Sequence, residues 1–171
     1  MSIIDGNRTN TCPYPNSGPD RPRFPKRAVI TAGMPYGNKE LHLGHIGGVF
    51  VHADTFARFL RDRIGKENVI FISGTDCYGS PILEHYRRLV AEGSFQGTID
   101  EFVSFNHNKQ KEVLSIYNIA IDLFAASSIG QAAEIHREVS SEFITSLYKN
   151  GHLIQMTTSQ FYDAEFNRDN E

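Results

Sequence analysis

The stretch RAVITAGMPYGNKELHLGH, residues 27–45, decides the fold of this chain. Its apolar run at 28–32 predicts a short buried strand, and the glycines and proline of 33–41 predict a loop. From His42 onward, apolar residues recur at helical spacing until Gly65, which is placed to end the helix. The stretch therefore predicts a strand that passes through a loop into a helix, with two histidines where the helix begins.

His42 and His45 lie three residues apart, so both face the same side of the first helical turn. The free N–H groups and the dipole of a helix N-terminus favour anions, and imidazoles add donors there. Gly44 between them would let a ligand approach the backbone. The pattern indicates a phosphate site for ATP, while a helix start with two solvated histidines explains it equally well. A metal site is a weaker alternative, because no third ligand has a suitable spacing.

A second strand is predicted at 68–73, and with the first strand and the helix it forms a right-handed βαβ unit. Both strands are continuous apolar runs, which predicts a parallel α/β sheet of the Rossmann type with helices on both faces. The remaining sequence predicts, in order, a helix from Pro81 to about Gly93, a helix at 98–117 that starts with the capping pattern Thr98 to Glu101, a strand at 120–125, a helix at 130–150 and a strand at 153–158.

Ligands of such sheets bind beyond the carboxyl ends of the strands, so the loops 33–45 and 74–79 are expected at one rim. Asp76 follows the second strand and precedes a glycine turn. Its carboxylate could pair with a substrate amino group or cap the turn. Tyr36 could line a pocket or serve as a packing residue.

The composition indicates one domain of an ordinary protein, with 171 residues, 40% hydrophobic residues and a net charge of −3 that gives no support for nucleic-acid binding. Cys12 and Cys77 are too isolated for a zinc knuckle, no apolar run could span a membrane, and a cytoplasmic location is expected. Residues 1–26 are rich in proline and predict a flexible tail, which Tyr14 and Phe24 could hold against the domain. The other five histidines are expected to be structural or exposed, and the segment 58–63 to be a solvated helix face.

Three motifs together carry a resemblance to a known family: AGMPYGN at 32–38, HLGH at 42–45 and GTDCYG at 74–79. In their order and spacing they resemble the class I methionyl-tRNA synthetases, whose helix signature is HIGH. The similarity extends through 118–122 and 149–152 to 159–163 and covers most of residues 27–165. It implies that residues 27–171 are the first part of a Rossmann-type (HUP-type) catalytic domain, incomplete relative to the full domain and running into the connective insertion.

The resemblance also implies roles for individual residues. His42 and His45 would be catalytic, holding the ATP phosphates and the charge that builds at the α-phosphate, and ATP would also contact Asn38 and Gly44. The backbone of Gly33 and Met34 would line the methionine pocket together with the Tyr36 ring, and Asp76 would bind the ammonium group of the amino acid. The implied reaction joins the methionine carboxylate to the α-phosphorus of ATP, with Mg²⁺ on the nucleotide, and then transfers methionine to tRNA. No metal-binding residues and no bound zinc are expected in this chain.

Departures from the family pattern leave alternatives open. Cys77 stands where the family often has Glu or Ala, and Lys39 occupies a position that glycine often holds in the family. A KMSKS-like lysine loop and an anticodon-binding region do not occur in the sequence. We therefore expect a fragment that contacts tRNA through parts outside this chain and needs the complementary C-terminal part of a synthetase. A non-charging paralogue that binds a nucleotide, an aminoacyl-adenylate or a protein is the alternative. A small HxGH nucleotidylyltransferase is disfavoured, because Lys39 replaces the Thr or Ser that those enzymes have three residues before the first histidine.

Overall fold

The computed structural model describes residues 24–159, and it divides the chain into two compact units, Met1–His136 and Arg137–Glu171. The first unit holds a sheet of three strands, β1 (Ala28–Thr31), β2 (Val69–Thr75) and β3 (Leu123–Ala126). The helices are α1 (Leu43–His45), α2 (Val51–Ile64), α3 (Ser80–Ala91), α4 (Ile99–Ile116) and α5 (Gly130–Lys149), the last of which crosses the boundary between the units.

The sheet has the order β1-β2-β3, and both neighbouring pairs are parallel. Ala28 pairs with Val69 at the start of the first ladder, and Ile72 pairs with Leu123 at the start of the second. The parallel α/β fold predicted from the sequence is confirmed. The first helix is not continuous, however, because the π-helical turn Ile46–Phe50 joins α1 to α2.

The main core lies between one face of the sheet and the helices α2 and α4. Its fully or nearly buried members are Ala32, Leu41, Ile46, Phe50, Ala57, Phe71 and Leu114. A second cluster joins α3 and α4 to the ends of β2 and β3, and consists of Cys77, Ile82, Phe102, Val103 and Ala126. The two clusters hold the carboxyl ends of the strands, and with them the loops that follow.

The opposite face of the sheet is open in the part of the chain that the structure describes. Val29, Ile70 and Leu123 alternate with the core residues along the three strands, and they are 64%, 51% and 56% exposed. The prediction that helices cover both faces is therefore wrong for residues 24–159. Continuous apolar strands indicate that both faces need cover, but the described residues supply cover for one of them.

Two strand predictions need correction. The third strand begins at Leu123, three residues later than predicted, because the preceding segment turns to bond with α2 and with Phe71. Residues 153–158 form no strand, and Leu153, Ile154 and Met156 are exposed. Hydrophobic sequence alone does not make a strand, since the backbone groups also need a neighbouring ladder.

The segment 58–63 is not simply a solvated face, which is a further correction. Arg58 donates to Asp54 at 2.8 Å, and the Arg61 side chain, 12% exposed, donates to the Ala120 carbonyl at 2.9 Å and to Asp122 at 2.6 Å. Asp122 in turn accepts a 2.7 Å hydrogen bond from the Phe71 N–H. These bonds fasten α2 to the segment before β3, at the end of the sheet away from the two predicted site loops.

Near the start of the described residues, the Phe24 ring lies 5.9 Å from the ring of Phe59 on α2. The predicted contact of Phe24 with the domain is therefore present, while Tyr14 and residues 1–23 lie outside the described residues. No helix within residues 24–159 is both long and apolar enough to cross a membrane.

Candidate functional site

His42 and His45 cap the helix that they begin. The His42 Nδ1 accepts a 3.1 Å hydrogen bond from the Gly44 N–H, and the His45 Nδ1 accepts one of 3.3 Å from the His42 N–H. This reciprocal arrangement is a capping box made of imidazoles in place of the usual hydroxyl and carboxylate. The ring centroids are 3.9 Å apart with a tilt of 36°. The two histidines therefore act as one unit at the helix N-terminus.

The hydrogen bonds also fix the tautomers of the two rings. Because each Nδ1 accepts a hydrogen bond from a backbone N–H, the neutral form of each ring carries its own proton on Nε2. Burial lowers the pKa of His45, and the nearby charges of His42 and Lys39 lower it further. A neutral His45 keeps the cap intact and presents Nε2–H as a donor. The pair can thus offer two N–H donors to an anion without losing the cap.

Gly44 is required by the cap itself. A Cβ at this position would lie 2.9 Å from Cε1 and 3.0 Å from Nδ1 of His42, closer than ordinary van der Waals contact. The imidazole would have to move, and the bond to the Gly44 N–H would be lost. The glycine between the histidines is therefore explained by local packing, and close approach of a ligand remains a separate expectation.

Met34, Tyr36 and Asp76, three of the residues predicted to bind methionine, come together at the ends of β1 and β2. Tyr36 and Asp76 form a parallel bridge, in which the Gly37 N–H donates to the Asp76 carbonyl at 2.7 Å and the Asp76 N–H donates to the Pro35 carbonyl at 2.8 Å. Met34 is 50% exposed and Tyr36 46% exposed, so both side chains at this wall of the rim are open to solvent.

Close packing against glycine shapes this wall. A Cβ on Gly74 would fall well inside the contact distance of the Ala125 carbonyl oxygen and would lie 3.3 Å from the Met34 Cε. Gly74 therefore lets β2 and β3 approach and leaves room for the Met34 side chain. Gly33 is different, since a Cβ there would meet nothing within 4 Å.

Asp76 caps its turn and is also available to a ligand. Its Oδ1 accepts a 3.1 Å hydrogen bond from the Tyr78 N–H, which is the turn-capping role foreseen for it. The residue is only partly buried. A carboxylate has lone pairs beyond the one used in this bond, so the cap does not prevent it from accepting an ammonium group.

The Asn38 side chain is directed towards the start of α3. Its Nδ2 donates to the Pro81 carbonyl at 3.3 Å, and its Oδ1 is buried without a hydrogen-bond partner among the described residues. With Lys39 and Glu40 it forms one wall of a cavity of about 400 Å³ against α3 and α4. The opposite wall is aromatic and includes Phe95, Phe102 and Phe105. This cavity does not include the two histidines or Asp76.

A buried polar network behind the loop was missed by the sequence analysis. Thr75 and Gln110 are fully buried, His107 is 8% exposed, and Thr75 Oγ1 lies 2.7 Å from Gln110 Oε1 and 2.8 Å from His107 Nδ1. Gln110 Nε2 donates to the carbonyls of Tyr36 and Lys39, both at 2.9 Å. The available signal was the polar residues on the buried stripe of α4, since Gln110 repeats at helical spacing with Phe102 and Leu114.

The other candidate side chains serve the structure. Cys77 has a buried free thiol, and its backbone N–H donates to the Ser127 hydroxyl at 2.9 Å. His52, His136 and His152 are exposed, and His85 packs edge-on against Phe102 with ring centroids 5.7 Å apart. Residues 24–159 contain no group of three His, Cys, Asp or Glu side chains arranged to hold a metal ion.

Comparison with known proteins identifies the family of this chain. The model of the family described as tRNA synthetases class I (M) matches residues 28–169. The methionine–tRNA ligase of Cytophaga hutchinsonii is 38% identical over 142 residues, which are 82% of this chain and 19% of that protein. The methionine–tRNA ligase of Pyrococcus abyssi is 36% identical over 136 residues, 80% of this chain and 17% of that protein. The chain therefore spans about a fifth of the length of these curated relatives.

Solved structures agree with the sequence relatives. Mycobacterium tuberculosis methionyl-tRNA synthetase in complex with methionyl-adenylate matches with a TM-score of 0.59 and 27% identity, over 72% of this chain and 21% of that chain. The agnB2 LeuRS of Agrobacterium radiobacter K84, in a ternary complex with tRNA and LeuAMS, matches with a TM-score of 0.58 and 18% identity, over 73% of this chain and 14% of that chain. The second likeness supports the fold alone. The family model and the ligases together show that this chain belongs to the class I tRNA synthetases, in the methionyl group.

Proposed function

We propose that this chain carries the ATP-binding and methionine-binding part of a methionine–tRNA ligase active site. The observation that carries the proposal is the bridge between Tyr36 and Asp76, which joins the loop of β1 to the end of β2. The same loop leads directly into the imidazole-capped start of α1. A nucleotide subsite and an amino-acid subsite thus adjoin at one rim of the sheet, as activation of a carboxylate by ATP requires.

In the nucleotide subsite, His42 and His45 donate their Nε2–H groups to the phosphate oxygens of ATP. Gly44 offers an open backbone to the nucleotide, and Asn38 belongs to the loop beside it. Mg²⁺ bound together with ATP would neutralise part of the charge of the triphosphate. The methionine carboxylate attacks the α-phosphorus, a new P–O bond forms, and the bond to pyrophosphate breaks. Fixed donors near the α-phosphate stabilise the charge that develops there.

In the amino-acid subsite, Met34 and Tyr36 contact the methionine side chain, and Asp76 accepts the ammonium group. The Gly33 backbone lies beside them at the end of β1. An apolar wall with one carboxylate suits an amino acid that has an uncharged, sulfur-containing side chain. Methionyl-adenylate then passes its methionine to tRNA, which contacts parts of the ligase outside this chain. A cytoplasmic location is proposed with this activity, because the reaction serves protein synthesis.

The complementary part of the synthetase is the proposed partner of the open sheet face. Val29, Ile70 and Leu123 are exposed apolar residues on the three strands, and the Cytophaga hutchinsonii ligase, of which the 142 matched residues are 19%, is more than four times as long as this chain. Because each of these side chains is already about half covered, burying the rest of it contributes on the order of 1 kcal/mol. Binding of the remainder of the ligase to this sheet face would therefore be favoured by burial of the exposed side chains.

The test is a titration of the ¹⁵N-labelled chain with ATP–Mg²⁺, with methionine, and with a non-hydrolysable methionyl-adenylate analogue. We expect ATP to shift the amide signals of Gly44 and His45, and methionine to shift those of Met34 and Asp76. His45→Ala should weaken ATP binding about tenfold, while His52→Ala, an exposed histidine of α2, should leave it unchanged. An affinity unchanged by His45→Ala would remove the phosphate role from that residue. No shift at millimolar ligand would refute the proposed site.

Activity gives a second test. The isolated chain should support little or no methionine-dependent exchange between ATP and pyrophosphate. A chimera in which residues 28–169 replace the matching segment of the Cytophaga hutchinsonii ligase should support exchange. The Asp76→Ala variant of this chimera should lose the exchange that depends on methionine. Robust exchange by the pure chain would show that the other parts of the ligase are not needed.

A further inference from the structure

The loop from Tyr36 to Lys39 is held from behind by side chains that touch no proposed substrate. Two carbonyls, those of Tyr36 and Lys39, accept hydrogen bonds from the single amide group of Gln110 on α4. Because Gln110 is fully buried, these bonds are shielded from competing water. One side chain therefore sets the separation of the two ends of the loop.

The direction of each hydrogen bond in this network is determined. Gln110 uses its N–H groups on the loop, so its Oε1 must accept, and the Thr75 hydroxyl must donate its one proton to it. The Thr75 oxygen can then only accept from His107, which requires the proton on Nδ1 of that ring. The His107 ring stacks on Phe124 with centroids 5.4 Å apart and 7° between planes. The network is therefore anchored in β3 as well as in α4.

Thr75 connects this network to the amino-acid subsite. It directly precedes Asp76, whose N–H and carbonyl bond to Pro35 and Gly37 of the same loop. The loop is thus fixed by two backbone bonds on one side and by the Gln110 amide on the other. Lys39 lies close enough to His45 to lower the pKa of that ring, so the loop also borders the proposed phosphate site.

The geometry points to Thr75, His107 and Gln110 as positioning residues, which fix the Tyr36–Lys39 loop and thereby align the two proposed subsites. This role rests on the proposed function for its effect on ligands. Its effect on the loop is a property of the chain alone. An unpaired Thr75 or Gln110 would leave a buried polar group without a partner, so the network works as one unit.

The Gly37 N–H gives a direct measurement of this role, because it bonds across the loop to the Asp76 carbonyl. The Phe71 N–H of β2, which donates to the carboxylate of Asp122 just before β3, reports general opening of the domain. In Thr75→Val, which keeps the shape and removes the hydroxyl, hydrogen exchange at Gly37 should rise about tenfold relative to Phe71. Thr75→Ser keeps the hydroxyl and should stay within about twofold of the parent chain. ATP affinity should fall about tenfold in Thr75→Val and recover in Thr75→Ser.

Two further variants separate positioning from simple loss of stability. Gln110→Leu removes the loop donors and should repeat the effect, which covers the case that Thr75→Val does not fold. Leu60→Ala, a core truncation on α2, should raise exchange at Gly37 and Phe71 together and leave ATP affinity unchanged. Equal rises at both amides in Thr75→Val, or a loosened loop with unchanged ATP affinity, would overturn the positioning role. No ATP binding by the parent chain would refute the proposed function, while the exchange ratio would still decide whether the network fixes the loop.

Discussion

Gly74→Ala is predicted to destabilise the chain because β2 and β3 are too close at this position to admit a methyl group. The added Cβ would overlap the Ala125 carbonyl oxygen and lie 3.2 Å from the carbonyl carbon, and both are backbone atoms of the paired strand. A side chain could rotate away, but a strand held by its ladder cannot. Overpacking of this kind costs about 1–3 kcal/mol. For a chain of 171 residues, about 2 kcal/mol lowers Tm by roughly 4–8 °C.

Gly33→Ala is the matched control, because a Cβ there meets nothing within 4 Å. The same chemical change should leave Tm unchanged or raise it slightly, since alanine restricts the unfolded chain more than glycine does. Thermal unfolding followed by circular dichroism, with urea unfolding as a second measure, compares the two variants. Equal Tm values for Gly74→Ala and Gly33→Ala would refute the steric reasoning and the close pairing of β2 with β3.

Three further predictions concern stability. Asp122→Ala should lower the free energy of unfolding in urea by about 1–3 kcal/mol, because it removes one of the two acceptors of Arg61 and leaves the Phe71 N–H without its partner. Asp62→Ala, whose carboxylate is exposed, is the control and should change this free energy by less than about 0.5 kcal/mol. Burial lowers the pKa of both His45 and His107 below the ordinary value of 6.5, so the unfolded chain binds more protons under pH 6.5 and stability should fall as the pH drops from 7.5 to 5.5. His107→Gln should flatten that dependence in urea titrations at the two pH values, and an unchanged slope would contradict it. Thr98→Ala should cost about 1 kcal/mol by removing the cap of α4, measured as a fall in Tm against Ser115→Ala.

The elements with a strong local signal were predictable from the sequence. Gly65 has the positive φ of 94° expected of a glycine that ends a helix, and Thr98 and Glu101 form the predicted capping box. Pro81 lies in the first turn of α3, as predicted. The parallel strands followed from their apolar runs and from the helix between them. In each case the information lies within a few neighbouring residues.

The features that the sequence did not reveal depend on distant partners. Arg61 was predicted to be solvated with the rest of the segment 58–63, but its partners, Ala120 and Asp122, lie about sixty residues further along the chain. The bond from Thr75 to Gln110 likewise joins two elements that are 35 residues apart. The open sheet face could not be assigned either, since hydrophobic periodicity indicates that a face needs cover without indicating what covers it.

The candidate site was predicted in outline. The sequence indicated one rim for the two loops, and the bridge between Tyr36 and Asp76 joins them there. It did not indicate that the histidines cap their own helix, because imidazole is not among the usual capping groups. The roles of these residues in ATP and methionine binding remain predictions for the titrations proposed above.

The imidazole cap has a consequence for mutational scans of this protein. A Cβ at Gly44 would crowd the His42 ring, so a substitution there should weaken the cap by about 1 kcal/mol even in a chain that never meets a nucleotide. Depletion of Gly44 variants in a library would therefore report on helix initiation. Asn at position 42 can cap a helix without an imidazole. The informative variant is therefore His42→Asn. If it survives in the library, the helix cap is what the position must supply; if it is lost, the imidazole itself is needed, as expected of a phosphate ligand.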